Sequence, residues 1–199
     1  MSDAVDQPIV IVSGNLVTLG PVSRDIVPLA TRWMNDPGAQ QRLGYEVPRP
    51  FTLQDEEKWF DEKVVGSDEV TFLIRERETG APIGTCALFD YRRKNRTCEF
   101  GIMIGEKSAR GRGYGTEAAR LSLYYAFSVI GLHMVHLGVA EFNRMGQRAY
   151  LKAGFREAGR YREAFWAYGK RWDWIVMDCL ASEFDSPVLA AQFGPDPES

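Results

Sequence analysis

Arg110-Gly111-Arg112-Gly113-Tyr114-Gly115-Thr116 is the stretch from which the fold of this chain can be read. Three glycines at alternate positions leave the main chain unshielded, and residues 117–130 are helix-forming with a broad apolar face. The loop therefore runs straight into a helix N-terminus. Free amides there point outward, the helix dipole favours negative charge, and glycine lets a phosphate approach the backbone. Taken alone, seven such residues also fit an ordinary Gly-rich turn. Two familiar phosphate loops are excluded: no Gly-x4-Gly-Lys-Ser/Thr run occurs, and the sixth position counted from Gly111 is Thr116 where a dinucleotide fingerprint needs glycine.

Working outward, residues 97–104 read as a strand before the loop and 134–140 as a strand after the helix, which Gly131 closes. Strand, crossover helix and strand make a parallel βαβ unit, with the loop at the carboxyl end of its first strand, where such sheets bind ligands. Upstream, residues 70–76, 81–91 and 97–104 predict an antiparallel meander with turns at Glu78-Thr79-Gly80 and at the basic tip 92–96, read as solvated. Residues 9–19 predict a hairpin around Gly14-Asn15. Residues 24–35 predict a first helix, and residues from Thr52 to about 65 a second, with Thr52 as cap. The segment 38–51 shows no periodicity and is read as a loop. Asn143 caps a further helix that stops at Gly154-Phe155, and residues 157–180 predict a closing hairpin. The expected fold class is α/β with a mixed sheet: one domain over residues 1–185, followed by a loosely held tail, 186–199.

Composition narrows the function. In 199 residues, 45% are hydrophobic and 26% charged, ordinary for one globular domain, and the formal net charge of −3 argues against a surface built for nucleic acid or anionic lipid. Phosphate binding has to be local. Cys86, Cys98 and Cys179 show no CxxC spacing and read as buried thiols of a cytoplasmic protein, and no apolar run reaches membrane-spanning length. His133 and His136 alternate with apolar residues at a strand entrance without a third ligand, so both read as structural and no metal is expected.

In 143–155, Asn143, Gly146 and Tyr150 stand at i, i+3 and i+7 and share one helix face. A missing side chain at Gly146 would let a ligand arm lie against that helix; a tight helix–sheet contact with a core tyrosine is the competing reading.

Together the two stretches resemble the GNAT superfamily of acyl-CoA-dependent N-acetyltransferases. Its phosphate loop, Gln/Arg-x-x-Gly-x-Gly/Ala, is matched by Arg110, Gly113 and Gly115. Its later signature is matched by Asn143, Gly146, Tyr150, Lys152, Gly154 and Phe155, with Gly146 replacing the usual alanine or serine. Glu99-Phe100-Gly101-Ile102 and Gly113-Tyr114-Gly115-Thr116-Glu117-Ala118 look most like the RimJ/RimL-type branch. The resemblance implies acetyl-CoA, or another short acyl-CoA, as co-substrate. Its diphosphate would lie on the amides of Arg110, Gly111, Arg112, Gly113, Tyr114, Gly115 and Thr116, and its pantetheine arm would pair with Ile102, Met103 and Ile104. Asn143 and Gly146 would flank that arm, and Tyr150 would sit by the sulfur.

The acceptor implied is a primary amine, read as that of a small molecule, with a homodimer left open. A protein N-terminal acetyltransferase and a non-catalytic CoA sensor are the alternatives. Glu99 is the leading candidate base and Glu141 the second, although each alone also reads as a structural carboxylate; Ile102 or Ile104 would offer an oxyanion amide. The aromatics Trp59, Phe60, Tyr161, Phe165, Trp166, Trp172 and Trp174 are read mostly as core. Any that converge with segment 38–51 would wall the acceptor site and favour a larger or apolar amine.

Overall fold

The computed structural model describes residues 8–43 and 49–185. The predicted tail and the acidic start of the chain lie outside these residues, as does part of the segment read as a loop. A single eight-stranded sheet runs in the order β1-β2-β3-β4-β5-β6-β8-β7. Its strands are β1 (Val12–Ser13), β2 (Val17–Pro21), β3 (Val70–Glu76), β4 (Pro82–Arg92), β5 (Thr97–Ile104), β6 (Met134–Ala140), β7 (Arg156–Ala167) and β8 (Lys170–Leu180). Every pairing is antiparallel except β5 with β6, the parallel unit predicted from the loop.

The helices are α1 (Val27–Met34), α2 (Pro37–Leu43), α3 (Leu53–Trp59), α4 (Tyr114–Tyr124) and α5 (Arg144–Ala153). Helix α2 corrects the reading of 38–51 as a loop. It is a seven-residue helix whose first turn is fixed by Asp36, whose carbonyl accepts from the amides of Ala39 and Gln40. It is too short to show an apolar stripe. Thr52 caps α3 in a reciprocal box: its hydroxyl accepts from the Asp55 amide at 3.2 Å, and Asp55 accepts from the Thr52 amide at 2.7 Å. The helix continues as a π-turn over Phe60–Val65.

Two apolar layers sandwich the sheet. Helices α4 and α5 cover one face, where Phe100, Leu121, Val135, Leu137 and Phe155 are buried. On the other face Trp33 of α1 packs with Phe60 and Leu73. The alternation along β5 sends Cys98 and Phe100 to the first face and Glu99 and Met103 to the second. The aromatics divide differently from the reading above: Tyr161 and Trp166 are 65% and 64% exposed, because β7 is an outer strand open to solvent on nearly its whole length.

Two long-range contacts fix the loop region. The carboxylate of Glu117, in the first turn of α4, accepts from the amides of Asn15, Leu16 and Val17 at 2.9, 2.6 and 2.7 Å, tying the β1–β2 turn to this helix. The indole of Trp33 lies flat against Gly105, just past β5, and its Nε1 donates to Glu106 at 2.8 Å. A Cβ at position 105 would lie 2.1 Å from the nearest ring atom. Gly105→Ala should therefore lower stability by about 1–3 kcal/mol, the cost of overpacking a fixed core group. A urea midpoint equal to that of the parent would show that the indole yields freely.

Candidate active site

The sheet contains an opening. Strands β5 and β6 pair only through Thr97↔Met134, Cys98↔Val135 and Glu99↔His136, while β5 runs on to Ile104 and β6 to Ala140. Beyond Glu99 each strand keeps only its outer neighbour: β4 continues along β5 to Ile104, and β8 continues along β6 to Ala140. The two therefore part like the arms of a V. The inner edge of β5 from Phe100 onward presents main-chain donors and acceptors that no strand takes up. A cavity of about 350 Å³ opens on this edge. Its walls are Ile102, Met103 and Ile104, the glycine loop, the exposed face of α5, and Ala39, Arg42 and Leu43 of α2.

The loop offers main chain rather than side chains. Gly111 and Gly113 have φ of +78° and +89°, a left-handed conformation that only glycine takes without strain. Gly113 is the N-cap of α4, and the first intrahelical bond runs from the Glu117 amide to the Gly113 carbonyl at 3.1 Å. The amides of Tyr114, Gly115 and Thr116 consequently have no partner within the helix.

The Arg110 side chain is spent on the loop's own root. It donates to the carbonyls of Ile104 and Gly105, both at 2.9 Å, and to Asp36 at 2.7 Å. Burial opposes the Asp36 charge, but the hydrogen bond and charge of Arg110, with the Gly38 amide and Lys107, hold its carboxyl below the ordinary value. Arg112 and Tyr114, assigned above to the cofactor set, turn their side chains away from the cavity. Tyr114 donates to Glu76, and Arg112 pairs with the same carboxylate at 3.4 Å while lying over the Tyr114 ring. Alternate spacing in a loop does not reveal this, since each side chain's direction is set by the turn.

Helix α5 forms the opposite wall. Asn143 caps it, its Oδ1 accepting from the Gly146 amide at 3.0 Å. A Cβ at Gly146 would lie 2.7 Å from Asn143 Nδ2, so the glycine makes room for the capping amide to fold over the first turn. Gln147 ties the same turn to the end of β6 through the carbonyls of Ala140 and Glu141 at 3.2 and 2.8 Å. Tyr150 is half-buried in the cavity wall. Its ring stands edge-on to Phe100 and Phe155 at 6.4 and 5.9 Å, and burial pushes its phenol up to about 12. Its hydroxyl has no hydrogen-bond partner among the described residues. Three further cations, Arg42, Arg148 and Lys152, line the cavity without an ion pair among the described residues. The i, i+4 spacing of the last two was readable in the sequence and went unused.

Glu99 stands on the other side of the sheet from Tyr150, since neighbouring residues of a strand point to opposite faces and Phe100 packs with Tyr150. The two can meet only through the V. Burial raises the Glu99 carboxyl, the charge of His136 opposes that rise, and Asp90 adds to it. Glu141, the second candidate, is engaged elsewhere: it accepts from the Asp173 amide at 3.4 Å and pairs with Arg144 at 3.6 Å. Also on the Glu99 face, the Phe89 ring lies against Gly101 and the Trp174 indole over Gly138, so aromatic groups flank both arms of the V. Trp174 stacks on Phe165 at 5.2 Å, and Phe142 touches Phe165 and Trp172.

A sheet split between two parallel strands, with a glycine-capped helix N-terminus at the end of the first, agrees with the class to which sequence similarity assigns the chain, the acyl-CoA-dependent N-acetyltransferases. The chain belongs to the GNAT acetyltransferase family, whose domain model matches residues 17–156. It is 27% identical over 143 residues to the spermidine N(1)-acetyltransferase of Vibrio cholerae, a match covering 71% of this chain and 82% of that protein. It is 32% identical over 126 residues to the alpha/beta-tubulin-N-acetyltransferase 9 of Drosophila melanogaster, covering 58% and 62%. The crystal structure of the Vibrio cholerae spermidine N-acetyltransferase in complex with CoA and spermine superposes with a TM-score of 0.77 at 24% identity, covering 85% of this chain and 98% of that one. Acetyl-CoA is the co-substrate of this family. No helix among the described residues is long and apolar enough to cross a membrane.

Gly113→Val tests the loop as cofactor cradle. Valine is strained at φ +89° and puts two methyls beside the free amides, so CoA affinity should fall by about tenfold or more, about 1.4 kcal/mol. Calorimetric titration that gives the parent affinity in a folded variant would remove the loop from the site.

Proposed function

We propose that the chain transfers an acetyl group from acetyl-CoA to a primary amine of a small molecule by direct attack within a ternary complex. The observation that carries this reading is one shared cavity. The free amides of 114–116 and the unpaired β5 edge line it with Tyr150, and Glu99 stands at the vertex where β5 and β6 part. In this reading the amides of the 110–116 loop hold the diphosphate, with Arg42, Arg148 and Lys152 supplying charge at the rim. The pantetheine arm pairs with Ile102–Ile104, and Asn143 Nδ2 faces it across Gly146.

The chemistry follows from proton bookkeeping. At pH 7 an α-amine costs about 1.4 kcal/mol to deprotonate and a lysine-like amine about 4.6 kcal/mol. Glu99 takes this first proton, directly or through a water. The neutral amine attacks the thioester carbonyl; the C–N bond forms, and main-chain N–H of Ile102 or Ile104 stabilises the oxyanion. The C–S bond then breaks with its electrons going to sulfur, and the second amine proton ends on the CoA thiol. A phenol at about 12 stands about 3.5 pH units above a cysteine-like thiol, so Tyr150 stabilises the developing thiolate by hydrogen bonding more than by outright donation.

The spermidine-acetylating relative supports a small diffusible acceptor. The aromatic groups on both arms of the V support an amine that carries apolar surface next to its nitrogen. The tubulin-acetylating relative favours a second reading, in which a protein amine is the acceptor. Three buried free thiols support a reducing, cytoplasmic setting.

Two measurements test the reading. Polyamines, amino sugars, aminoglycosides, arylalkylamines and peptides with free N-termini, each supplied with acetyl-CoA, should release CoA thiol with at least one small amine. Turnover confined to peptides would favour the second reading. Tyr150→Phe should lower kcat by about 10²-fold or more while CoA affinity stays within a few-fold, because the hydroxyl matters as charge develops on sulfur. An undiminished kcat would exclude Tyr150 as the group serving the thiolate.

A further inference from the structure

Glu99 and His136 are the last pair of facing residues before β5 and β6 part, so they stand side by side at the vertex of the V. Both are on the face away from Tyr150, the side from which the acceptor approaches in the acetyl-transfer reading. Neither side chain makes a hydrogen bond or an ion pair within the described residues, so the capacity of each to hold a proton is unspent. The row continues: His136 faces Asp178 of β8 in register, and Asp178 faces Arg156 of β7. Arg156 pairs with Glu183 at 2.8 Å. His136 is thus flanked by carboxylates on both neighbouring strands, Glu99 and Asp178. The other charged group acting on Glu99 is Asp90 of β4.

We propose that His136 is the positioning partner of Glu99, receiving the proton that Glu99 removes from the acceptor ammonium and passing it to solvent, with Asp178 as the carboxylate that flanks it on β8. This rests on the acetyl-transfer reading given above. The proton balance requires such an exit. An ammonium acceptor carries three protons; the amide keeps one, the CoA thiol takes one, and the third must leave the enzyme every turnover. A half-buried carboxyl alone would hold it. An imidazole next to it, whose ring nitrogens can take up and release a proton, offers the onward step. Once it carries that proton, its charge favours the ionised form of Glu99 against the burial that favours the acid.

Two experiments separate this proposal from the acetyl-transfer reading itself. The chain has two histidines, so His136→Gln assigns their ring-proton resonances in the whole protein without substrate. The His136 resonance should carry a second inflection where Glu99 titrates, above the ordinary carboxylate range; Glu99→Gln should abolish it and leave the His133 resonance unchanged. Absence of that inflection overturns the coupling whatever the enzyme acetylates.

The second experiment is kinetic and uses an accepted amine. Glu99→Gln should reduce kcat/KM by about 10²-fold, and His136→Gln by about tenfold, with the acid limb of the pH profile moved to higher pH because Glu99 loses a stabilising cation. CoA affinity should stay within a few-fold in both. The double variant should be no slower than Glu99→Gln alone, since His136 acts through Glu99. Independent, multiplying losses, or an acid limb that stays in place in His136→Gln, would overturn the proposal. Failure of the parent to acetylate any amine would instead sink the function reading, leaving the resonance experiment to decide the coupling.

Discussion

Everything in the site depends on β5 and β6 ceasing to pair after Glu99↔His136. A buried strand edge with unmet N–H and C=O groups costs about 1–3 kcal/mol for each group left without water or partner, so such an edge persists only where something else completes it. Here the strands are held by their outer neighbours, seven residue pairs between β6 and β8 and an uninterrupted ladder from Gly84 to Phe89 between β4 and β5. Trp174 fills the space over Gly138 and Phe89 the space against Gly101, and Gln147 fixes the turn after β6. An amide-containing arm such as that of CoA matches the edge chemically.

The same geometry couples the two halves of the molecule. The root of the glycine loop is clasped by α1 and α2 through Trp33 on Gly105, Trp33 and Arg32 on Glu106, and Arg110 on Asp36. Asp36 also starts α2, which lines the cavity. The loop root and the wall formed by Ala39, Arg42 and Leu43 are therefore joined through Asp36. Arg110 thus contributes by holding the main chain in place, which is why its guanidinium makes three bonds to protein.

What was legible in the sequence was local. Glycines ahead of an apolar-faced helix specify a helix N-terminus, and Asn143, Gly146 and Tyr150 fall on one face by helical arithmetic alone, as their joint lining of the cavity shows. The parallel pairing of β5 and β6 followed from the helix that crosses between them. What stayed hidden depends on contacts across many residues or on side-chain direction. Glu117 gathers amides about 100 positions away, and His136 meets Glu99 only through strand register. Both histidines read as structural for want of a third ligand, and the sequence gives no sign that His136 stands opposite Glu99. Arg112 and Tyr114 point to Glu76 for reasons no spacing encodes, and α2 is too short to declare itself by periodicity.

Amide hydrogen exchange with and without CoA addresses the central claim, that the unpaired β5 edge and the adjoining helix N-terminus hold the cofactor. Protection should rise on CoA binding at those amides of residues 100–104 that face away from β4 and at residues 114–116, which lack partners within the helix, and change little in β3 or β8. Protection that appears elsewhere while residues 100–104 exchange as before would contradict the account.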